Sequence, residues 1–209
     1  MEVALSKMCD SNDIVTPIKP PVVGHIPRNY DDFYPHIPAS EIKSKVPNEV
    51  WNNYYKFCFE RNPWDKIVSW FMYRKKENFY RYIKNQDNNP NGFRKSFEMY
   101  TIDGKVVVDF LGRYENLYKD FQYVCNKLGL PWDGILSKEK SESRPKNRHY
   151  STYYDSETKE IIQKIFSREI DLLGYSFESN FFFDKMPFVQ HSIKMISTIA
   201  NRIWYFARD

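Results

Sequence analysis

The residues best suited to chemistry are Arg61-Asn62-Pro63 and, further along, Ser69. An arginine set directly before a helix N-terminus makes an anion site. The N–H groups of the first turn and the positive helix end attract negative charge, and a guanidinium grips phosphate through two parallel donors. Ser69 falls about two turns further on, off the apolar stripe of that helix, where its hydroxyl reaches the same anion. The same spacing serves a second arrangement, in which Arg61 pairs with a nearby carboxylate such as Asp65 and Ser69 is merely tolerated. Spacing leaves both open.

Three further groups stand out. His36, in Phe33-Tyr34-Pro35-His36-Ile37-Pro38, is a candidate general base, since an imidazole with an ordinary pKa of about 6.5 exchanges its proton at neutral pH. His25 has a similar His-Ile-Pro context and Glu41 is a third candidate; a histidine packed beside prolines is the structural alternative. The loop Arg144-Pro145-Lys146-Asn147-Arg148-His149-Tyr150 places three cations in five residues, either to cover an anionic ligand or simply as a solvated loop. Arg113 and Glu115 form the fourth group, a pair suited to orienting a neighbouring loop or to a structural salt bridge.

Elements must position these groups, and their signals are local. Tyr54–Phe59 is a short aromatic-rich apolar run, as expected of a buried strand. Asn62 is a good N-cap and Pro63 suits the first helical position. Trp64, Ile67, Val68, Phe71 and Met72 then form one apolar face. The result is strand, tight turn, helix. Upstream, residues 2–8 read as a helix, and residues 16–38, with six prolines, as an extended segment. Short helices follow at Ala39–Lys45 and Asn48–Asn53.

Downstream, residues 85–92 read as a loop. Asp103-Gly104 joins Met99–Ile102 to Lys105–Phe110 as a hairpin. A helix follows with Leu117, Phe121, Val124 and Leu128 inward, stopped by Gly129 and Pro131. Residues 137–150 read as a long polar loop, and Asp155 caps one long helix carrying Ile161, Ile162, Ile165 and Phe166 to Gly174. Helices alternating with a few strands define an α/β layered domain. It occupies residues 1–177, and residues 178–209 form an amphipathic helical extension packed on it, broken by His191, Lys194 and Arg202.

Composition sets the outer bounds. With 209 residues, 42% of them hydrophobic and 18% aromatic, the chain builds a core and disorder is excluded except locally. A net charge of +4 and a pI near 8.8 are too mild for a dedicated nucleic-acid binder. The aromatics sit at core spacing rather than among basic residues, which also disfavours an RNA- or DNA-binding module. Cys9, Cys58 and Cys125 form no CxxC or Cys/His set, so no metal site is expected and reduced thiols in the cytoplasm are the simplest reading. No secretory signal or membrane-spanning run is present.

Three segments together resemble the PAPS-dependent sulfotransferases, in the branch acting on carbohydrates. FCFERNPWDKIVSWF (Phe57–Phe71) is similar to their 3′-phosphate-binding motif, and VDFLGRYENLYKDF (Val108–Phe121) and YYDSETKEIIQKIFSREIDLLGYSF (Tyr153–Phe177) resemble their later blocks in the same order. The resemblance implies a P-loop-NTPase-like fold with a parallel central sheet flanked by helices. It implies transfer of a sulfuryl group from PAPS (3′-phosphoadenosine 5′-phosphosulfate) to a hydroxyl, favouring a polysaccharide, with 3′,5′-ADP as product and no metal. Arg61 and Ser69 match the family's 3′-phosphate ligands. His36 falls in the interval that holds the family's catalytic histidine or glutamate. Lys146 and Arg148 look similar to the loop that covers the donor; separately, Tyr150 or Tyr153 is a candidate to stack on adenine by aromatic type alone.

In one respect the sequence departs from that family. The strand and Lys-x-x-Ser/Thr loop that wrap the 5′-phosphosulfate are expected upstream of Met1, because Glu2–Lys7 resembles the helix after that loop. Weak or no transfer is therefore expected of these 209 residues. The competing reading is a non-catalytic nucleotide- or glycan-binding remnant of the same fold.

Overall fold

The structure is a computed structural model that describes residues 1–76, 78–88, 93, 96–136 and 148–177. Its organising element is a pair of parallel strands, β1 (Phe57–Glu60) and β4 (Phe110–Arg113). Their register sets Phe57 opposite Phe110 and Glu60 opposite Arg113, so the two strands end level. Between them, β2 (Thr101–Ile102) and β3 (Lys105–Val106) make a small antiparallel hairpin. Asp103 and Gly104 both adopt positive φ, at 51° and 73°, the backbone that a tight two-residue hairpin turn requires.

Helices cover both faces of the parallel pair. Alternate residues of β1 point to opposite sides. Phe57 and Phe59 pack with Leu5 of α1 (Glu2–Ser6) and with Phe121, Val124 and Cys125 of α6 (Leu117–Leu128). The other face meets α4 (Pro63–Tyr73), α7 (Ser156–Ile165) and α8 (Ser167–Leu173), whose Trp64, Ile67, Val68, Ile162, Phe166 and Leu173 share one buried cluster with Tyr82 and Ile83 of α5 (Phe79–Asp87). Both faces of β1 are buried, which is why its sequence is a continuous apolar run rather than an alternating one. The mixed α/β architecture with a parallel sheet flanked by helices is the one expected. Helices α2 (Ala39–Lys45) and α3 (Asn48–Asn53) also fall where expected, and α2 packs against β2 and the 3-10 turn Ser96–Met99.

The structure corrects three expectations. Lys105–Phe110 is not one strand: β3 stops at Val106, and Asp109 turns the chain into β4 by accepting the Lys56 N–H on its carboxylate at 2.7 Å while its own N–H donates to the Lys56 carbonyl. The long helix ending at Gly174 is two helices. Phe166 leaves the helical region (φ −107°, ψ 24°) and sits in the core at 1% exposure, so the break drives a ring inward. Residues 85–87, expected in a loop, belong to α5. The extension 178–209 lies outside the described residues, and no helix among those described is long and apolar enough to cross a membrane.

Gly112 tests the sheet packing. A Cβ there would lie 2.6 Å from Phe59 Cε1 and 3.0 Å from Phe110 Cε1, too close for any side chain. Gly112→Ala is expected to lower stability by about 1–3 kcal/mol, measured as a drop in the urea midpoint. An unchanged midpoint would contradict the pairing.

Candidate functional site

The level ends of β1 and β4 bring two turns side by side, and the site is built there. Asn62 caps α4 as expected: its side-chain oxygen accepts from the N–H of Trp64 at 3.1 Å and of Asp65 at 3.4 Å. The Lys66 N–H donates to the Asn62 carbonyl. The Arg61 N–H donates to Glu60 Oε1 at 2.9 Å, and the Asn62 N–H to Glu115 Oε1 at 2.6 Å. Pro63 has no N–H. The backbone donors of the turn are thus all taken by the protein. This corrects the picture of a helix end offering bare N–H groups to an anion; any anion here must be held by side chains.

Arg61 is 8% exposed. Its Nε and Nη2 each lie 2.8 Å from Asp65 Oδ2, and its guanidinium carbon sits 4.4 Å from the centre of the Tyr114 ring. The pairing with Asp65 is the structural arrangement that spacing allowed. Ser69 is half-buried on α4, one helical turn beyond Asp65. Positions four apart stack on a helix surface, so Asp65 and Ser69 share one stripe of α4, and Arg61, on the turn before the helix, meets that stripe through its pair with Asp65.

Arg148 lies on the approach to a 3-10 turn, Tyr150–Tyr153, which packs on α4. Its Nε donates to Thr152 Oγ1 at 3.0 Å and its guanidinium covers the Tyr153 ring at 4.0 Å. Tyr150 is buried, donates to the Phe177 carbonyl at 2.7 Å and meets the Asn62 amide. It is a core residue, not a face for adenine. Arg144 and Lys146 lie outside the described residues. His36 is half-buried, with left-handed φ of 65°, just ahead of α2. It is therefore carried by an element that packs on β2, whereas Arg61 sits on the turn that leads into α4 and Ser69 rides on α4. His25 Nε2 donates to the Thr16 carbonyl at 2.8 Å, and Glu41 accepts from the Tyr34 hydroxyl at 2.5 Å.

Residues that sequence reasoning did not single out do much of the positioning. Glu60 and Lys66 form a buried ion pair, and Lys66 donates to Ser96 Oγ at 2.8 Å, which in turn donates to Glu169 Oε1 at 3.3 Å. Burial pushes the Glu169 carboxyl above its ordinary value; Lys66 opposes the rise and the second carboxylate, Glu60, adds to it. Glu115 Oε2 accepts from the Tyr175 hydroxyl at 3.1 Å, and Arg113 donates to the Leu173 carbonyl and lies over the Tyr175 ring. Arg113 and Glu115 therefore converge on Tyr175. Lys66 lies opposite the apolar stripe of α4, so its burial had no local signal; the spacing of Asp65 from Arg61 did.

Residues 35–176 match the Sulfotransferase family, a stretch that holds His36, both strands, α4 and the 3-10 turn. The chain belongs to that family. It is also 41% identical over 106 residues to an uncharacterized protein of Archaeoglobus fulgidus, covering 46% of this chain and 84% of that protein. No solved structure matches the chain.

Two substitutions test the positioning. Glu115→Ala leaves the Asn62 N–H without its acceptor and is expected to cost about 1–3 kcal/mol in thermal or chemical denaturation. Glu169→Gln works through pH. A carboxyl raised by folding contributes its stability below the unfolded pKa and loses it as pH rises through the folded one. The variant, neutral throughout, is expected to gain on the parent as pH rises above the ordinary carboxylate range. A gap that shrinks with pH would contradict the assignment.

Proposed function

We propose that the chain is a PAPS-dependent sulfotransferase acting on a carbohydrate hydroxyl, with Arg61 and Ser69 as the 3′-phosphate ligands. The observation that carries the reading is the Arg61–Asp65 pair at the strand-to-helix turn, with Ser69 one helical turn beyond Asp65, inside the stretch shared with the family. The residues fit a phosphate held by side chains: Asp65 draws the guanidinium onto the stripe that bears the Ser69 hydroxyl, and a guanidinium's planar fork matches a phosphate's paired oxygens. When bound, PAPS supplies an activated sulfuryl group whose bond to the 5′-phosphate breaks as the new S–O bond forms, leaving 3′,5′-ADP.

The protein's own residues supply binding and proton transfer. His36 takes the proton that the acceptor hydroxyl loses as its oxygen attacks sulfur. Arg148, with Lys146 beside it in sequence, adds positive charge near the donor phosphates from the turn packed on α4. The acceptor is a polysaccharide or another hydroxyl-bearing molecule, and no metal takes part. Buried thiols at Cys58 and Cys125, neither in a disulfide, support a cytoplasmic setting.

The test is a thermal-shift titration with 3′,5′-ADP. The nucleotide is expected to raise the melting temperature by several degrees, Arg61→Ala to abolish the rise, and Ser69→Ala to reduce it. Asp65→Asn removes a carboxylate that competes for the guanidinium and is expected to tighten binding severalfold. A rise that persists in Arg61→Ala, or an Asp65→Asn variant that is less stable yet binds as the parent does, would leave Arg61 as a purely structural residue.

A further inference from the structure

A solvent-open concavity of about 530 Å³ lies between the end of α4 and one side of α5, at the far end of α4 from Arg61. Four cations line it: Arg74, Lys75 and Lys76 where α4 ends, and Arg81 in the first turn of α5. All four are exposed. Among the described residues, no carboxylate lines the concavity or forms an ion pair with any of the four.

Helix electrostatics account for only part of this charge. Cations suit the negative C-terminal end of α4, which explains Arg74, Lys75 and Lys76. Arg81 has no such reason. It sits at the positive end of α5, where acidic residues are favoured, and that first turn has none. Four like charges facing one space repel each other, and an anion between them relieves the repulsion.

A second observation points the same way. Tyr82 lines the same concavity and is 5% exposed; Arg74 donates toward its hydroxyl oxygen, yet the hydroxyl proton has no acceptor among the described residues. Burial raises its pKa, with Arg74 opposing, so at neutral pH it is an O–H donor without an acceptor. Buried polar groups left this way are costly, and an oxyanion supplies the missing acceptor. The amides of Asn85 and Gln86 add further hydrogen-bonding groups. Among the described residues, Tyr82 is the sole aromatic that lines it and its ring is buried, so these residues offer no stacking face to a nucleobase.

We propose that this concavity is a second anion site, separate from the one at Arg61, which takes a compact polyanion bearing clustered phosphate or sulfate groups. The two sites stand at opposite ends of an 11-residue helix, about 15 Å apart along its axis. The proposal does not depend on the donor reading: it concerns other residues and a binding equilibrium alone.

The experiment titrates the full chain at low salt with inorganic triphosphate and, separately, with a sulfated hexasaccharide. At least one is expected to bind, and the stronger identifies phosphate or sulfate as the source. Arg74→Gln with Arg81→Gln is expected to weaken that binding by about tenfold or more, as for two lost charge-assisted contacts. Tyr82→Phe is expected to weaken it severalfold without lowering the melting temperature. Arg61→Ala and Ser69→Ala are expected to leave it unchanged. The proposal is overturned if neither probe binds, if the double variant binds like the parent, if Arg61→Ala or Ser69→Ala removes binding, or if a single-stranded oligonucleotide outcompetes both probes.

Discussion

One carboxylate joins the parts of this fold that are far apart in sequence. Glu115 accepts the backbone N–H of Asn62 on one oxygen and the Tyr175 hydroxyl on the other, so the turn after β1, the turn after β4 and the segment after α8 meet on a single side chain. The parallel register makes this possible. Because Glu60 lies opposite Arg113, both strands end level and both following turns emerge at one edge, the edge at which open α/β sheets bind ligands. A register slip by one residue would move Glu115 out of reach and turn the alternate side chains of β4 to the wrong face.

The buried charges beneath that edge follow from the same constraint. Glu60, Lys66 and Glu169 are each 3% exposed, and a buried ion pair is seldom more stabilising than apolar residues of the same volume. Its value here is geometric. Glu60 accepts from the Arg61 backbone N–H and from Lys66 together, so the network fixes the peptide from which the Arg61 side chain departs. Two carboxylates sharing one ammonium leave an excess negative charge, and the raised Glu169 pKa is how the interior reduces it. The arrangement trades some stability for a defined direction of the arginine.

What was legible in the sequence was local. The Asn62 cap with Pro63, the apolar stripe of α4, the Asp103-Gly104 turn and the glycine stops at Gly129 and Gly174 each depend on residues within a turn of one another. The α/β class followed from their order, and the match to the Sulfotransferase family agrees with the resemblance carried by three separated segments. What was not legible depended on partners far away in the chain. The start of β4 is set by Asp109 meeting Lys56, 53 residues earlier. The break at Phe166 is set by the room for its ring among Phe93 and the α4 side chains. The N–H groups at the head of α4 looked available because Glu115, which takes one of them, belongs to another strand's turn. The Arg61–Asp65 pair was visible as an alternative because its two members lie four residues apart in the chain, across the start of α4.

The closure of the α4 N-terminus changes what kind of anion site this edge can form. A phosphate gripped by backbone N–H groups tolerates most side-chain changes, since the donors belong to the peptide. With those donors committed to Asn62, Glu60 and Glu115, an anion here has only side chains to meet, and a side-chain contact is removable by one substitution. The same holds at the other end of α4, where the cations of Arg74, Lys75 and Lys76 already answer the helix's negative pole. At neither end does the macrodipole remain available to draw in a ligand. Salt therefore separates the two ends: the exposed cations of Arg74, Lys75, Lys76 and Arg81 are screened by added salt, whereas Arg61, only 8% exposed, is screened much less.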